Sequence, residues 1–292
     1  METNDRSASQ KQGAITPNPG TKKIDFETIT LKNDVMFSSV FRDPEKCREL
    51  LHRILGIQIS ELKITEDQKS LKANPWSKGI RLDIYAKDIY NNVYDIEMQV
   101  LNQGGLALRS RYYHSEMDSY QIQTGQKYTQ LKSSIVIFLC SFDPFCENRS
   151  IYTFRSMCAE DTDILLDDKR ETLFVNIHGD RTGLSPELTN FLDYLETTVP
   201  TDTFTDSLNH EVEKLKNDIE WRENYMTMEI KMEERYEAGL SQGITQGADN
   251  KLKNQIQKKL AKGKSLSQIA EECEESEDVI QALIAEMENK SS

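Results

Sequence analysis

The sequence predicts an α/β protein in which helices flank a mixed β-sheet, with a helical tail after it. Three observations carry this. Residues 135–139 read Ile-Val-Ile-Phe-Leu, an apolar and mostly β-branched run of the kind a sheet buries on both faces. Residues 79–100 hold two β-rich runs, about 80–88 and 93–101, around an Asn-Asn turn, the pattern of a β-hairpin. Helical spacing of apolar residues appears before the hairpin, after it and again from residue 201 onward.

In chain order, residues 1–24 are rich in Ser, Thr, Asn, Gln, Pro and Gly and read as a disordered segment without the apolar stretch of a signal peptide. Val35, Met36, Val40, Phe41, Leu50, Leu51, Ile54 and Leu55 recur at helical spacing. Asp43-Pro44 divides them, since Pro suits the first turn of a helix, and Gly56 suits a helix end. Two helices follow, about 33–41 and 44–55. Residues 57–69 read as a strand or two. After the hairpin, Gln103-Gly104-Gly105 is a loop, and 106–123 is a long helix with Leu108, Tyr112, Met117, Tyr120 and Ile122 among its less polar positions. The central strand at 135–139 is followed by β-rich stretches at 151–154 and 173–177. Residues 186–195 form a helix with Leu188, Phe191, Leu192 and Leu195 on one face. These elements make one domain, 25–200.

From Thr201, Phe204, Leu208, Val212, Leu215 and Ile219 recur at threes and fours among charges. That is an amphipathic helix, either a coiled coil or a strut packed on the core. Gly239, Gly243 and Gly247 then recur every four residues, which suits either a close helix contact or a linker; together these features fill 201–250. Residues 251–292 hold two short helices in a helix-turn-helix-like layout. The second, about 277–287, has no Lys or Arg, which favours a structural or pairing role over base reading.

Composition narrows the function classes. The 292 residues carry a net charge of −13, distributed as +2, −7 and −8 over 1–24, 25–200 and 201–292, so broad basic binding to nucleic acid is excluded. No apolar run approaches the ~20 residues that span a bilayer, and no membrane partner is expected. Five cysteines without CxxC spacing and four scattered histidines signal neither zinc nor a disulfide framework, which fits a reducing cytoplasm.

The hairpin holds the candidate chemistry. Strand side chains alternate, so Asp95, Glu97 and Gln99 share one side and Ile96, Met98 and Val100 the other. Asp83, on the first strand, can meet Glu97. Carboxylates so close repel unless a cation lies between them, and Mg²⁺ prefers oxygen ligands of this kind. The bland alternative is a hairpin whose polar face meets water.

Asp83 followed by Glu97-Met98-Gln99 resembles the D…(D/E)xK site of restriction-endonuclease-like enzymes, with Gln99 where Lys is usual. The order Lys32-Asn33-Asp34-Val35-Met36-Phe37, Leu82-Asp83-Ile84, Ile96-Glu97-Met98-Gln99, Arg109-Ser110-Arg111-Tyr112-Tyr113 and Gly125-Gln126-Lys127-Tyr128 resembles the Rpn-type recombination-promoting nucleases, or PD-(D/E)XK nuclease family transposases, over about 28–200. The resemblance implies a restriction-endonuclease-like core and a divalent-metal-dependent DNA endonuclease. Asp83 and Glu97 would hold Mg²⁺ or another divalent cation, with the Met98 carbonyl as a further ligand, and Gln99 would orient the attacking water. Asp34 would be the acidic residue of the first helix near the active site; the other reading is an acid that favours the helix dipole. Arg109 and Arg111 would contact DNA phosphate, or else form surface ion pairs. Self-association would use the C-terminal helices. The rival readings are a weakly active or inactive nuclease-like interaction module, and a mobile-element protein that works only with a partner.

Overall fold

The computed structural model describes residues 24–64, 70–71, 80–122 and 124–289. The segment expected to be disordered, 1–24, lies outside them except for Ile24, as does most of 57–79 beyond Ile64. The described chain forms two compact units, one ending at Glu223 and one beginning at Asn224.

The first unit opens with a short 3₁₀ turn, Phe26–Thr28, then α1 (Asp34–Val40) and α2 (Pro44–Leu55). Asn33 caps α1 by accepting from the Met36 amide at 3.1 Å. Asp43 caps α2, and Gly56 ends it with φ 68°, a left-handed conformation that costs glycine little. Strands β1 (Leu62–Ile64), β2 (Ser70–Leu71), β3 (Ile80–Arg81), β4 (Ile84–Asp88) and β5 (Val93–Gln99) come next. Then follow α3 (Leu106–Gln121), β6 (Ser134–Cys140), β7 (Ile151–Phe154), β8 (Arg170–Asn176), α4 (Pro186–Thr197) and α5 (Thr203–Asn217).

Six strands form one mixed sheet in the order β1-β4-β5-β6-β8-β7, and β2 pairs with β3 apart from it. The pairs β5–β6 and β6–β8 are parallel; β1–β4, β4–β5 and β7–β8 are antiparallel. Every residue of β6 is buried, as an apolar run at the centre of a two-sided sheet requires. The architecture is the α/β sandwich expected from element order.

Three expectations need correction. Asp83 is not within a strand: it sits in a bend between β3 and β4, and the hairpin proper is β4–β5. Its turn is fixed by Asp88, whose Oδ1 accepts from the Tyr90 and Asn92 amides at 2.9 Å each. The face of the hairpin with Asp95 and Glu97 does not meet water, because α3 covers it and both are buried. On α3 itself, Leu108 is 63% exposed, while Ser110, Tyr113, His114 and Met117 are buried.

The third correction concerns residue 200 as a domain edge. Helix α5 belongs to the first unit and packs on α1 and α4. Its stripe Phe204, Leu208 and Val212 is buried there, each such side chain contributing roughly 1.5–3 kcal/mol, whereas Ile219, beyond the helix end, is exposed. Arg53 ties the layers together, donating to Asp202 Oδ2 and the Glu187 carbonyl at 2.7 Å each, with its guanidinium 4.3 Å from the Phe204 ring centroid.

Helix α6 (Ile219–Leu260) runs into the second unit, which also holds α7 (Leu266–Cys273) and α8 (Glu277–Asn289). Ile256 of α6, Ile269 and Ala270 of α7 and Ile280 of α8 make a small core there. Among the described residues nothing lies within 4 Å of a Cβ built at Gly239, Gly243 or Gly247, so no described segment uses that glycine ridge for close approach. No described helix is long and apolar enough to cross a membrane, and all five cysteines are free.

Candidate active site

The candidate residues meet where the bend before β4, the end of β5 and the first turns of α3 come together. β4 and β5 pair with Ile84 opposite Ile96, which sets Asp83 beside Glu97 just past the ladder. The Asp83 amide donates to Glu97 Oε1 at 3.0 Å, and the Met98 amide donates to Asp83 Oδ2 at 3.1 Å. Each carboxyl is thus held by a backbone amide of the other's segment.

Arg109, one turn into α3, reaches down to β5. Its Nη2 donates to Glu97 Oε2 at 2.7 Å and its Nη1 to Gln99 Oε1 at 3.1 Å. The Gln99 amide in turn donates to the Met98 carbonyl at 2.9 Å. The guanidinium also lies 5.3 Å from the ring centroids of both Tyr113 and Phe138. Asp83, Glu97, Gln99 and Arg109 are therefore one hydrogen-bonded group.

The electrostatics are those of carboxyls short of cations. Burial, then the charge of Glu97, pushes Asp83 up to about 8, with a further upward contribution from Asp34. Burial also raises Glu97, against the opposing pull of Arg109. Asp95, two residues earlier on the same side of β5, is fully buried and lies well above the usual carboxylate range through burial and the charges of Glu97 and Asp83. Neither of its oxygens has a partner of hydrogen-bond geometry, and a neutral Asp95 has a proton to offer Glu97. The sequence put Asp95 on the right side but gave it no role. Its signal was the strict alternation Asp95, Glu97, Gln99.

Of the other expected residues, Asp34 is the first residue of α1, exposed, and near enough to Asp83 to act on it by charge. Arg109 and Arg111 do not act together. Two positions apart on a helix they point about 200° apart, so Arg109 enters the carboxyl group while Arg111 faces a cavity beside β8. The Met98 carbonyl is engaged by Gln99.

The donor set suits a hard divalent cation: two carboxylates and a backbone carbonyl, all oxygen. Three clustered carboxyls face one guanidinium, which leaves an acid surplus for such an ion to offset. Among the described residues no set of three or more His, Cys, Asp or Glu side chains converges as a ready cage.

No curated protein and no solved structure matches the chain. One family model does, that of the PD-(D/E)XK nuclease family transposases, over residues 31–244. The match takes in the whole sheet, α5 and the first part of α6.

Proposed function

Because the chain belongs to the PD-(D/E)XK nuclease family transposases, we propose that it is a divalent-metal-dependent DNA endonuclease of the recombination-promoting type. The observation that carries this reading is the hydrogen-bonded group of Asp83, Glu97, Gln99 and Arg109 at the end of β5. Asp83 and Glu97 would hold Mg²⁺, with the Met98 carbonyl as a further oxygen ligand. When bound, the ion polarises the scissile phosphate and lowers the pKa of the attacking water.

Gln99 orients that water through its amide but brings no charge of its own. Arg109 is bonded to the Gln99 oxygen, so a positive charge still stands beside the position where lysine is usual. There it stabilises charge developing on the phosphate oxygens. Asp34 adds negative charge near Asp83 and would strengthen the hold on a cation. DNA binds through local cations, and its affinity falls steeply with salt.

A metal-titrated plasmid-nicking assay tests the reading. Wild-type protein should nick with Mg²⁺ or Mn²⁺ and not with EDTA, and Asp83→Ala and Glu97→Ala should remain folded and silent. Wild-type cleavage rates in either variant, with normal melting, would sink the site assignment. Absence of nicking at every metal concentration would favour the second reading, a nuclease-like interaction module. That reading draws on the missing lysine and the net charge of −13.

A further inference from the structure

On the other side of α3 from the carboxyl group lies a cavity of about 300 Å³, bounded by α3, β7 and β8. This is at the small end of ligand pockets, roughly 300–1,000 Å³, and suits one nucleotide rather than a duplex. Its walls combine two chemistries. Phe145 and Phe154 remain 37% and 47% exposed although their ring centroids are 5.0 Å apart. Both meet the buried Phe174 edge-on, at 5.1 and 5.7 Å. Three guanidinium groups, from Arg111, Arg155 and Arg170, line the same space in a chain whose net charge is −13.

These arginines are lightly committed. Arg111 is exposed and has no ion-pair partner among the described residues. Arg155 pairs with Glu171 at 2.9 Å on the surface, and Arg170 meets Asp168 only at 3.5 Å. Surface pairs of this kind are weak, so an incoming phosphate can replace them. His114 forms part of the floor, with Nδ1 2.7 Å from Ser134 Oγ and Nε2 3.0 Å from Thr172 Oγ1, so both nitrogens are already used.

The cavity and the carboxyl group lie over the same face of the sheet. Glu97, Phe138 and Phe174 stand in one row across β5, β6 and β8. Phe138 stacks on Phe174 at 5.2 Å and carries Arg109 on its other neighbour side at 5.3 Å. An acidic peptide would use the guanidinium groups and leave the phenyl faces idle. A nucleotide uses both, since bases stack on aromatic rings while arginine takes the phosphate.

We propose that this cavity is a subsite for one unstacked nucleotide, so that the preferred substrate is DNA with an unpaired nucleotide beside the scissile phosphate. The choice of nucleic acid rests on the nuclease reading. The arginines bind the phosphate, and Phe154 and Phe145 take the base.

The test uses full-length protein, EDTA and a single-stranded DNA oligonucleotide carrying 2-aminopurine, followed by anisotropy and by quenching of the base. Wild type should quench the probe. Phe154→Ala and Arg111→Ala should each bind about tenfold more weakly, and Phe154→Tyr should bind as wild type does. Unchanged binding in both alanine variants would overturn the subsite. So would equal affinity for the fully paired duplex, or displacement by polyglutamate as effective as by unlabelled oligonucleotide. With no metal present, cleavage is not involved. A chain that stacks the probe but never nicks DNA keeps the subsite and loses the nuclease reading; one that nicks DNA but binds the probe equally with Phe154→Ala does the reverse.

Discussion

Helix α3 covers two polar groups on the same face of the sheet, and they are built on opposite terms. Around His114 the accounts of donor and acceptor close: a serine hydroxyl meets one ring nitrogen and a threonine hydroxyl the other. Burial and the nearby charge of Arg170 lower the imidazole to about 4, so it stays neutral at physiological pH. Around Glu97 they do not close. Among the described residues Asp95 has no neighbour to take its proton but the Glu97 carboxyl, Asp83 is pushed up to about 8, and a single guanidinium faces three carboxyls. Equal burial with unequal satisfaction separates a structural polar group from one kept ready for a cation.

The comparison breaks most sharply at Asp83. Asp83→Asn should abolish metal-dependent nicking and yet raise the melting temperature of the metal-free protein at pH 8, because it removes a buried acid that burial disfavours in its charged form. Calorimetry in EDTA beside the nicking assay reads both; a drop in melting temperature at pH 8 would show that the carboxylate is structurally satisfied after all.

His114→Ala should act in the opposite sense. It leaves two buried hydroxyls without partners and should cost about 3 kcal/mol in urea unfolding at pH 7. A change below 0.5 kcal/mol, about the size of a surface substitution, would mean that the histidine is not holding the sheet to α3.

At Gln99 the expected effect is smaller. Gln99→Lys should keep or raise nicking, and Gln99→Leu should lower it about 10–100-fold, the range typical of groups that orient a metal site. Full activity in the leucine variant would remove Gln99 from the chemistry.

The smallest effect is in pH dependence, where the two groups have opposite signs. His114 has a folded pKa below its ordinary 6.5, so its contribution is present above 6.5 and is lost as pH falls towards about 4. Asp83 has a folded pKa above its ordinary 3.8, so its contribution is present below 3.8 and is lost as pH rises through about 8. A bound cation must displace the Asp83 proton at low pH but not at high pH. The increase in melting temperature on adding Mg²⁺ should therefore grow from pH 6 to pH 9, by a few degrees, and Asp83→Asn should flatten that slope.

Much of this was legible in the sequence, for identifiable reasons. β6 announced itself by five apolar residues in a row, and α2 by Asp43-Pro44 at one end and Gly56 at the other. The alternation of Asp95, Glu97 and Gln99 gave the shared side of β5. Of the face that α3 buries only Met117 was legible, because the rest is made of Ser110, Tyr113, His114 and Glu116, residues that look like surface until their packing on the sheet is known. Nor was the place of α5. Periodicity showed that Phe204, Leu208 and Val212 form a stripe, but a stripe does not name what covers it. The spacing of Arg109 and Arg111 did carry their separation, since residues two apart on a helix cannot face one target. The phenylalanine cavity had no sequence signature at all: Phe145, Phe154 and Phe174 come from a loop and two strands.

Among the described residues the sheet is bounded by its two shortest members, three-residue β1 on one side and four-residue β7 on the other. Short outer strands present few unpaired backbone groups, and so give another polypeptide little to hydrogen-bond against. Growth of the sheet from one molecule into the next is thereby discouraged. Any pairing of copies falls to side-chain surfaces, and α6 carries one, with Met232, Tyr236, Leu240 and Ile244 exposed at successive fourth positions.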